Sequence, residues 1–406
     1  MGNYLKIQYS FALLIISSAL LCTATIARDS ILYYDEQLFE VDGETWRLVV
    51  PSNYELELLV EMRKPRMLTV TDDDVLLVGS SVGNLYRIKP PYQEVEELVD
   101  LGGFPHSVAV RNGALLVGMT DGVYHAPYNG SSDAVLDRRD FELLAELPGG
   151  GGHASRTVAV GPDNRIYLSL GITGNCSDQY IGAGYSFDRQ RGGILVLSEP
   201  PGQKPRWQPY ASGLRNPVGF NWHPNSKVLY ASNNGPDHHG YELPAEYFSR
   251  IDAGSFHGMP WFWLDENNRL VLDDCIDSQP PRRDAQIPVA TFPARSSPMG
   301  VAFVPVGAFA PHLAGSAVVA IHGSWGTQPH GSYFGSRATR RAPSIALVYF
   351  VKDKVADVVT LLGGLQDAKG NRLARPMGVV FTSDGTLYFT SDGGDIEGLF
   401  RLRLNR

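Results

Sequence analysis

One phrase of hydrophobic and polar positions recurs six times along the chain. A hydrophobic triplet alternating with polar residues meets a short polar turn. A second hydrophobic strand follows and ends in small or acidic residues. The copies run from Met67 to Gly79, Ser107 to Gly118, Thr157 to Gly171, Pro217 to Asn234, Met299 to His322 and Met377 to Asp392. Alternation of this kind predicts paired antiparallel strands, and Gly161-Pro162-Asp163-Asn164 or Ser383-Asp384-Gly385 supplies the hairpin turn. Helical periodicity is almost absent.

Imperfect copies spaced by roughly 40 to 80 residues are the mark of a propeller, in which each small sheet covers its exposed face by stacking on the next. The expected fold is all-β: a six-bladed β-propeller of four-stranded antiparallel sheets. A β-sandwich would not repeat one hairpin phrase six times. Closure is expected from the segment Gly398 to Leu404 pairing with N-terminal sequence.

The first residues change the picture of where the protein works. Lys6 precedes an apolar run from Phe11 to Leu21, and Thr25 and Ala27 place small residues before a cleavage point. The run falls short of the ~20 residues a membrane span needs, so residues 1–27 read as a signal peptide. Residues 28–406 then form one propeller domain, secreted or, in a bacterium, periplasmic, with no stable membrane insertion. Cys22 leaves with the signal. Cys176 and Cys275 remain as an even pair in an oxidising compartment, where a disulfide is expected. Asn129-Gly130-Ser131 and Asn175-Cys176-Ser177 are glycosylation sequons in a eukaryotic host. The formal charge of −8 argues against a nucleic-acid partner, which would call for clustered Lys and Arg.

Three polar segments stand where propellers present ligand-binding loops. Gly149 to Gly152 are four consecutive glycines leading into His153, the side chain type best suited to take a proton near neutral pH; the plainer reading is a satisfied histidine in a flexible loop. Gly213-Leu214-Arg215-Asn216-Pro217 offers a planar guanidinium for carboxylates. The following Asn233-Asn234-Gly235-Pro236-Asp237 turn offers oxygens suited to a hard cation such as Ca²⁺, or is an ordinary Asx turn. His322-Gly323-Ser324-Trp325 faces Ser296 to Gly300, and its Trp could stack on a planar ligand or close the propeller rim.

At these segments the sequence resembles the quinoprotein sugar dehydrogenases, the soluble glucose, sorbosone and pyranose dehydrogenases that use pyrroloquinoline quinone (PQQ). The resemblance rests on His153 to Asp163, Gly213 to Gly219, Asn234 to Asp237, Glu242 to Glu246, Gly258 to Trp261 and His322 to Trp325, in that order, and runs from about Leu56 to Leu404. It implies that His153 is the general base for the sugar's C1 hydroxyl. It implies that Arg215 and Asn216 hold PQQ oxygens, that the carbonyls of Gly235 and Pro236 bind Ca²⁺, and that Ser296, Trp325 and Arg375 line the cofactor pocket. It also implies a sugar substrate and a separate electron acceptor. Two departures stand out. Gly326-Thr327 replaces the family's Asn-Arg after Trp325, leaving Arg337 or Arg340 to restore a charge, and Asn175 to Asp178 differs from the family's Cys-rich loop.

The first reading is therefore a secreted PQQ- and Ca²⁺-dependent sugar dehydrogenase. A cofactor-free extracellular propeller that binds a protein or glycan is the alternative, for which Gly326-Thr327 speaks. A metal-dependent lactone hydrolase would need Asp237, Asp392 and Glu242 to converge on the axis.

Overall fold

The computed structural model describes residues 31–129 and 134–405; residues 1–27, expected to be a signal peptide, and part of the first sequon lie outside them. Six antiparallel sheets of four strands form the blades, and that of blade 3 carries a short fifth strand, Ser255–Phe256, added in parallel. Blade 1 holds Pro65–Val70, Leu76–Ser80, Asn84–Ile88 and Glu96–Asp100, and blade 2 holds Ser107–Arg111, Ala114–Met119, Gly122–Pro127 and Glu142–Glu146. Blade 3 is built from Val158–Val160, Ile166–Leu170, Gly193–Ser198 and Arg206–Ser212, and blade 4 from Phe220–Trp222, Leu229–Asn233, Glu246–Ile251 and Ala290–Phe292. Blade 5 comprises Pro298–Phe303, Ala317–Ile321, Ser344–Val351 and Lys354–Leu362. Blade 6 takes Pro376–Phe381, Leu387–Asp392 and Glu397–Leu404, and its fourth strand is Tyr54–Glu61 from the N-terminal side. Each copy of the repeated phrase is the first hairpin of one blade, so the six-fold repeat and the closing strand are both borne out.

The first strands line the channel, and small residues let them crowd together. A methyl on Gly219 would fall on the Met299 carbonyl, and one on Gly300 would lie 2.7 Å from the Met377 carbonyl oxygen. Hydrophobic faces close between neighbouring blades. Leu77, Leu85, Leu115 and Val117 pack between blades 1 and 2, and Leu168, Leu170, Val123 and Ala145 between blades 2 and 3. Burying a Leu or Val side chain in this way contributes roughly 1.5–3 kcal/mol.

Two hairpins lie outside the blades and were not legible in the repeat. Tyr34–Val41 with Glu44–Pro51 seals blades 5 and 6 by burying Trp46, Leu48 and Val50. Phe262–Leu264 with Leu270–Leu272 sits in an insertion between the last two strands of blade 4. This insertion carries Cys275, which is bonded to Cys176 across 99 residues with Cα atoms 6.1 Å apart. No helix among the described residues is long and apolar enough to cross a membrane.

Candidate functional site

All six first strands begin at the same end of the channel, so whatever precedes them converges on one mouth. At or shortly before these strand starts stand Arg66, His106, Arg156, Arg215, Arg295 and Arg375, one for each blade. Five arginines and a histidine thus ring the mouth. The spacing Arg-Met, Arg-Thr, Arg-Asn-Pro, Arg-Ser-Ser-Pro and Arg-Pro before the repeated phrase carried this pattern in the sequence. Reading the segments singly missed Arg66, His106 and Arg295.

The tetraglycine segment is held from below. Arg156 is fully buried and donates from Nη1 to the His153 and Ser155 carbonyls at 2.7 and 2.9 Å, and from Nη2 to Pro148 O at 3.2 Å. Arg191, also buried, donates to Pro148 O at 2.7 Å, to Gly149 O, and to Gly171 O at 3.4 Å. His153 Nδ1 lies 2.5 Å from Ile172 O. A carbonyl only accepts, so Nδ1 carries the proton and the neutral ring presents a free lone pair at Nε2. Burial, then the Arg215 charge, lowers the imidazole pKa to about 4, against which the Ile172 contact acts only partly. The ring is therefore neutral at physiological pH. Gly171 makes room for it, since a methyl there would lie 2.7 Å from His153 Cβ and 2.8 Å from Asn216 Oδ1. His153 and Asn216 thus meet over one glycine.

Arg215 is buried and aimed by the loop of Asn175. Its Nε donates to Asn175 O at 3.1 Å and its Nη2 to Asn175 Oδ1 at 2.7 Å, while Nη1 reaches Asn234 O at 3.3 Å. Asn175 Oδ1 also accepts from Asp237 N at 3.1 Å. Asn216 is pinned through its own backbone, its N–H donating to Asn233 Oδ1 at 3.0 Å and its carbonyl accepting from Asn234 N at 3.1 Å. Gly235 and Pro236 are buried, and their carbonyl oxygens accept no hydrogen bond from the described residues. Asn234 Oδ1 beside them is buried without a partner. An orphaned amide oxygen next to two unused carbonyls fits an oxygen-seeking cation such as Ca²⁺. Glu246 shapes this turn, accepting from Gly235 N at 2.5 Å and from Arg295 N at 2.9 Å; burial pushes its carboxyl up to about 7.

A chain of polar contacts crosses the other half of the mouth. Arg375 Nη2 donates to His322 Nδ1 at 2.8 Å, and His322 Nε2 donates to Asp392 Oδ1 at 2.6 Å. Asp392 also pairs with Arg66, whose Nε reaches His106 Nδ1 at 3.3 Å. Burial lowers the His322 pKa to about 4, with Asp392 opposing it. Asp392 is held well below the usual carboxylate range: burial raises it, but the His322 and Arg66 charges outweigh that. Ser296 is buried between blades 4 and 5, and its carbonyl accepts from Gly323 N at 2.9 Å.

Trp325 stands apart from this group. It is 50 % exposed on the rim and packs on Tyr333 with ring centroids 5.9 Å apart. The Gly326-Thr327 departure shapes the rim loop: buried Thr327 accepts from Gly335 N at 2.8 Å and donates to Ser332 O at 2.7 Å. Of the two arginines in that loop, Arg337 is exposed, whereas Arg340 is near enough to Arg375 that its charge, after burial and Arg66, adds to lowering that guanidinium's pKa. The three carboxylates of the hydrolase reading do not converge. Asp392 is tied to Arg66 and His322, Asp237 to Arg295 at 2.7 Å, and Glu242 to Arg341 on the surface. A cleft at the far end of the channel, lined by Thr69–Asp73 and Asn112, offers no histidine or arginine.

The arginine-rich mouth suits a small polyanion, because guanidinium groups match carboxylates in plane and charge. PQQ, with three carboxylates, is such an anion.

Comparison with known proteins agrees with the resemblance drawn from the sequence. Residues 131–322 match the glucose/sorbosone dehydrogenase family model. The fold is shared with the calcium structure of a Trichoderma reesei carbohydrate-active enzyme of family AA12, at 17% identity and a TM-score of 0.72 over 88% of this chain and 97% of the other. It is shared with the holo form of the pyranose dehydrogenase PQQ domain of Coprinopsis cinerea, at 16% identity and a TM-score of 0.68 over 88% and 97%. An uncharacterised protein of Borreliella burgdorferi is 23% identical over 86% of this chain and 90% of its own length.

Proposed function

We propose that the chain is an exported, PQQ- and Ca²⁺-dependent dehydrogenase that oxidises the C1 hydroxyl of aldoses or related sugars. The observation that carries the reading is a partly buried, neutral His153 with its tautomer fixed by Ile172, placed beside Asn216 in an arginine-ringed mouth. When bound, PQQ supplies the two-electron acceptor for the C1 hydrogen, and Ca²⁺ supplies a Lewis acid.

The chain's own residues do the rest. His153 Nε2 takes the proton of the C1 hydroxyl, which its low pKa keeps it free to do at neutral pH. Arg215 and Asn216 would hold the cofactor's oxygens from blade 4, and Arg375 and Ser296 from the far side. Asn234, Gly235 and Pro236 would hold the Ca²⁺, with Glu246 fixing the turn through the Gly235 N–H. Trp325, with Tyr333, offers an exposed aromatic edge at the rim, suited to a sugar face. Electrons leave to a separate acceptor. The cofactor-free receptor reading is not favoured, because the polar groups of the mouth are kept and mutually ordered.

The test is dye reduction across a panel of aldoses, pyranoses and sorbosone by protein reconstituted with PQQ and Ca²⁺. Sugar-driven reduction that needs both additions supports the reading. Absence of turnover with every sugar overturns it.

A further inference from the structure

Immediately after the Gly235-Pro236 turn, the chain places two histidines over a carboxylate that belongs to a different segment. His238 Nε2 and His239 Nε2 each lie 3.0 Å from the same oxygen, Asp273 Oδ2. The donor atoms of the three residues all fall within 4.8 Å of one another. The Asp273 side chain has no solvent exposure, whereas the two imidazoles remain accessible at 30 % and 18 %. The cluster is therefore open on the histidine side and closed behind the carboxylate.

Two features go beyond a chance surface contact. A fully buried carboxylate is costly unless a positive charge compensates it, yet no Lys or Arg among the described residues pairs with Asp273. Its other partner is the Cys275 N–H at 3.2 Å. Stacking also fixes the ring positions. His239 lies on Trp263 with centroids 4.0 Å apart and 22° between planes, and His238 lies 4.0 Å from His239. Ligands bound tetrahedrally at about 2.0–2.2 Å from a zinc ion sit roughly 3.3 Å from one another. The observed 3.0 Å separations are already close to that spacing.

We propose that His238, His239 and Asp273 form a site for one divalent transition-metal ion, with Zn²⁺ as the matching ion. Two imidazoles and one carboxylate are a borderline-soft donor set, which suits Zn²⁺ or Cu²⁺ and does not suit Ca²⁺. The site is thus separate in chemistry from the oxygen-only turn three residues before it. Three protein ligands leave a fourth position open to water or an anion. Occupancy also links two segments of the mouth. It ties the stretch from His238 to Gly240, whose carbonyl accepts from Arg295 Nε at 3.1 Å, to the disulfide-bearing insertion at Cys275.

The experiment is calorimetric titration of Zn²⁺ into the untagged, metal-stripped mature chain in excess Ca²⁺ and without PQQ, so that its outcome does not depend on the dehydrogenase reading. One Zn²⁺ per chain with micromolar or tighter affinity is expected. His238→Gln, at the accessible ligand, should weaken it at least tenfold, and His238→Gln with His239→Gln should abolish it while the circular dichroism spectrum without zinc keeps its all-β form. With Cu²⁺ as probe, the electron paramagnetic resonance spectrum should show coupling to two imidazole nitrogens, reduced to one in His238→Gln. No saturable Zn²⁺ binding in the wild type, or binding unaltered in the double variant, would overturn the proposal.

Discussion

The Nδ1 atom of His153 lies 2.5 Å from the carbonyl oxygen of Ile172, two residues past the second strand of blade 3. One hydrogen bond to a backbone carbonyl sets which ring nitrogen is free, and burial, helped by the Arg215 charge, keeps the ring uncharged.

His153→Gln should therefore fold with an unchanged thermal midpoint yet lose turnover by about 10²–10⁴-fold, the usual worth of a positioned general base. In the wild type the acid limb of turnover should appear only as the pH falls toward about 4, where this ring takes up its proton. A limb near the ordinary histidine value, or a variant with normal turnover, would remove His153 from that role.

Gly171→Ala tests whether His153 and Asn216 act from one place. The added methyl would lie 2.7 Å from one and 2.8 Å from the other. A shift of about 1 Å in reacting groups can cost on the order of 100-fold in rate. Turnover should fall strongly while the circular dichroism spectrum keeps its all-β form; equal kcat in variant and wild type would show that the spacing is immaterial.

Acid should weaken the fold well before carboxylates are protonated. Burial lowers His153, His257 and His322 to about 4 each, so between pH 6.5 and 4 the unfolded chain binds protons that the folded chain refuses. Stability then falls as the pH drops through that window. Glu246, raised to about 7 by burial, acts the other way, but it is one group against three. Thermal midpoints of the metal-free protein at pH 7.5, 6 and 5 should decline in that order, and a flat series would contradict the buried-histidine account.

The disulfide supports the site as well as the fold. Cys176 adjoins Asn175, which aims Arg215 through two hydrogen bonds. Cys176→Ser with Cys275→Ser releases a closed loop of 99 residues, for which chain entropy gives about 4–5 kcal/mol. The pair of substitutions should lower the thermal midpoint and weaken binding of PQQ together. Loss of stability with PQQ affinity intact would separate Asn175 from the site.

How much of this was legible in the sequence follows from what repeats. The blades were readable because each copy of the phrase, such as Met377 to Asp392, obeys one local pattern of strand, turn and strand. The hairpin around Trp46 and the insertion carrying Cys275 occur once, so no repetition exposes them. His153, Arg215 and Asn216 were singled out because glycine-rich or Arg-Asn-Pro segments mark them. Arg66 and Arg295 carry no local mark, and only their recurring place shortly before the repeated phrase reveals them. Asn175 and His239 do their work through contacts with residues 40 and 34 positions away, which spacing along the chain does not disclose.

The most direct test of the central reading is a titration of the metal-stripped protein with PQQ, followed by absorbance, with and without Ca²⁺. Saturable binding at micromolar PQQ or below that requires Ca²⁺, and weakens in Arg215→Ala, is the predicted result. Absence of binding in the presence of Ca²⁺ would contradict the assignment of the arginine-ringed mouth to this cofactor.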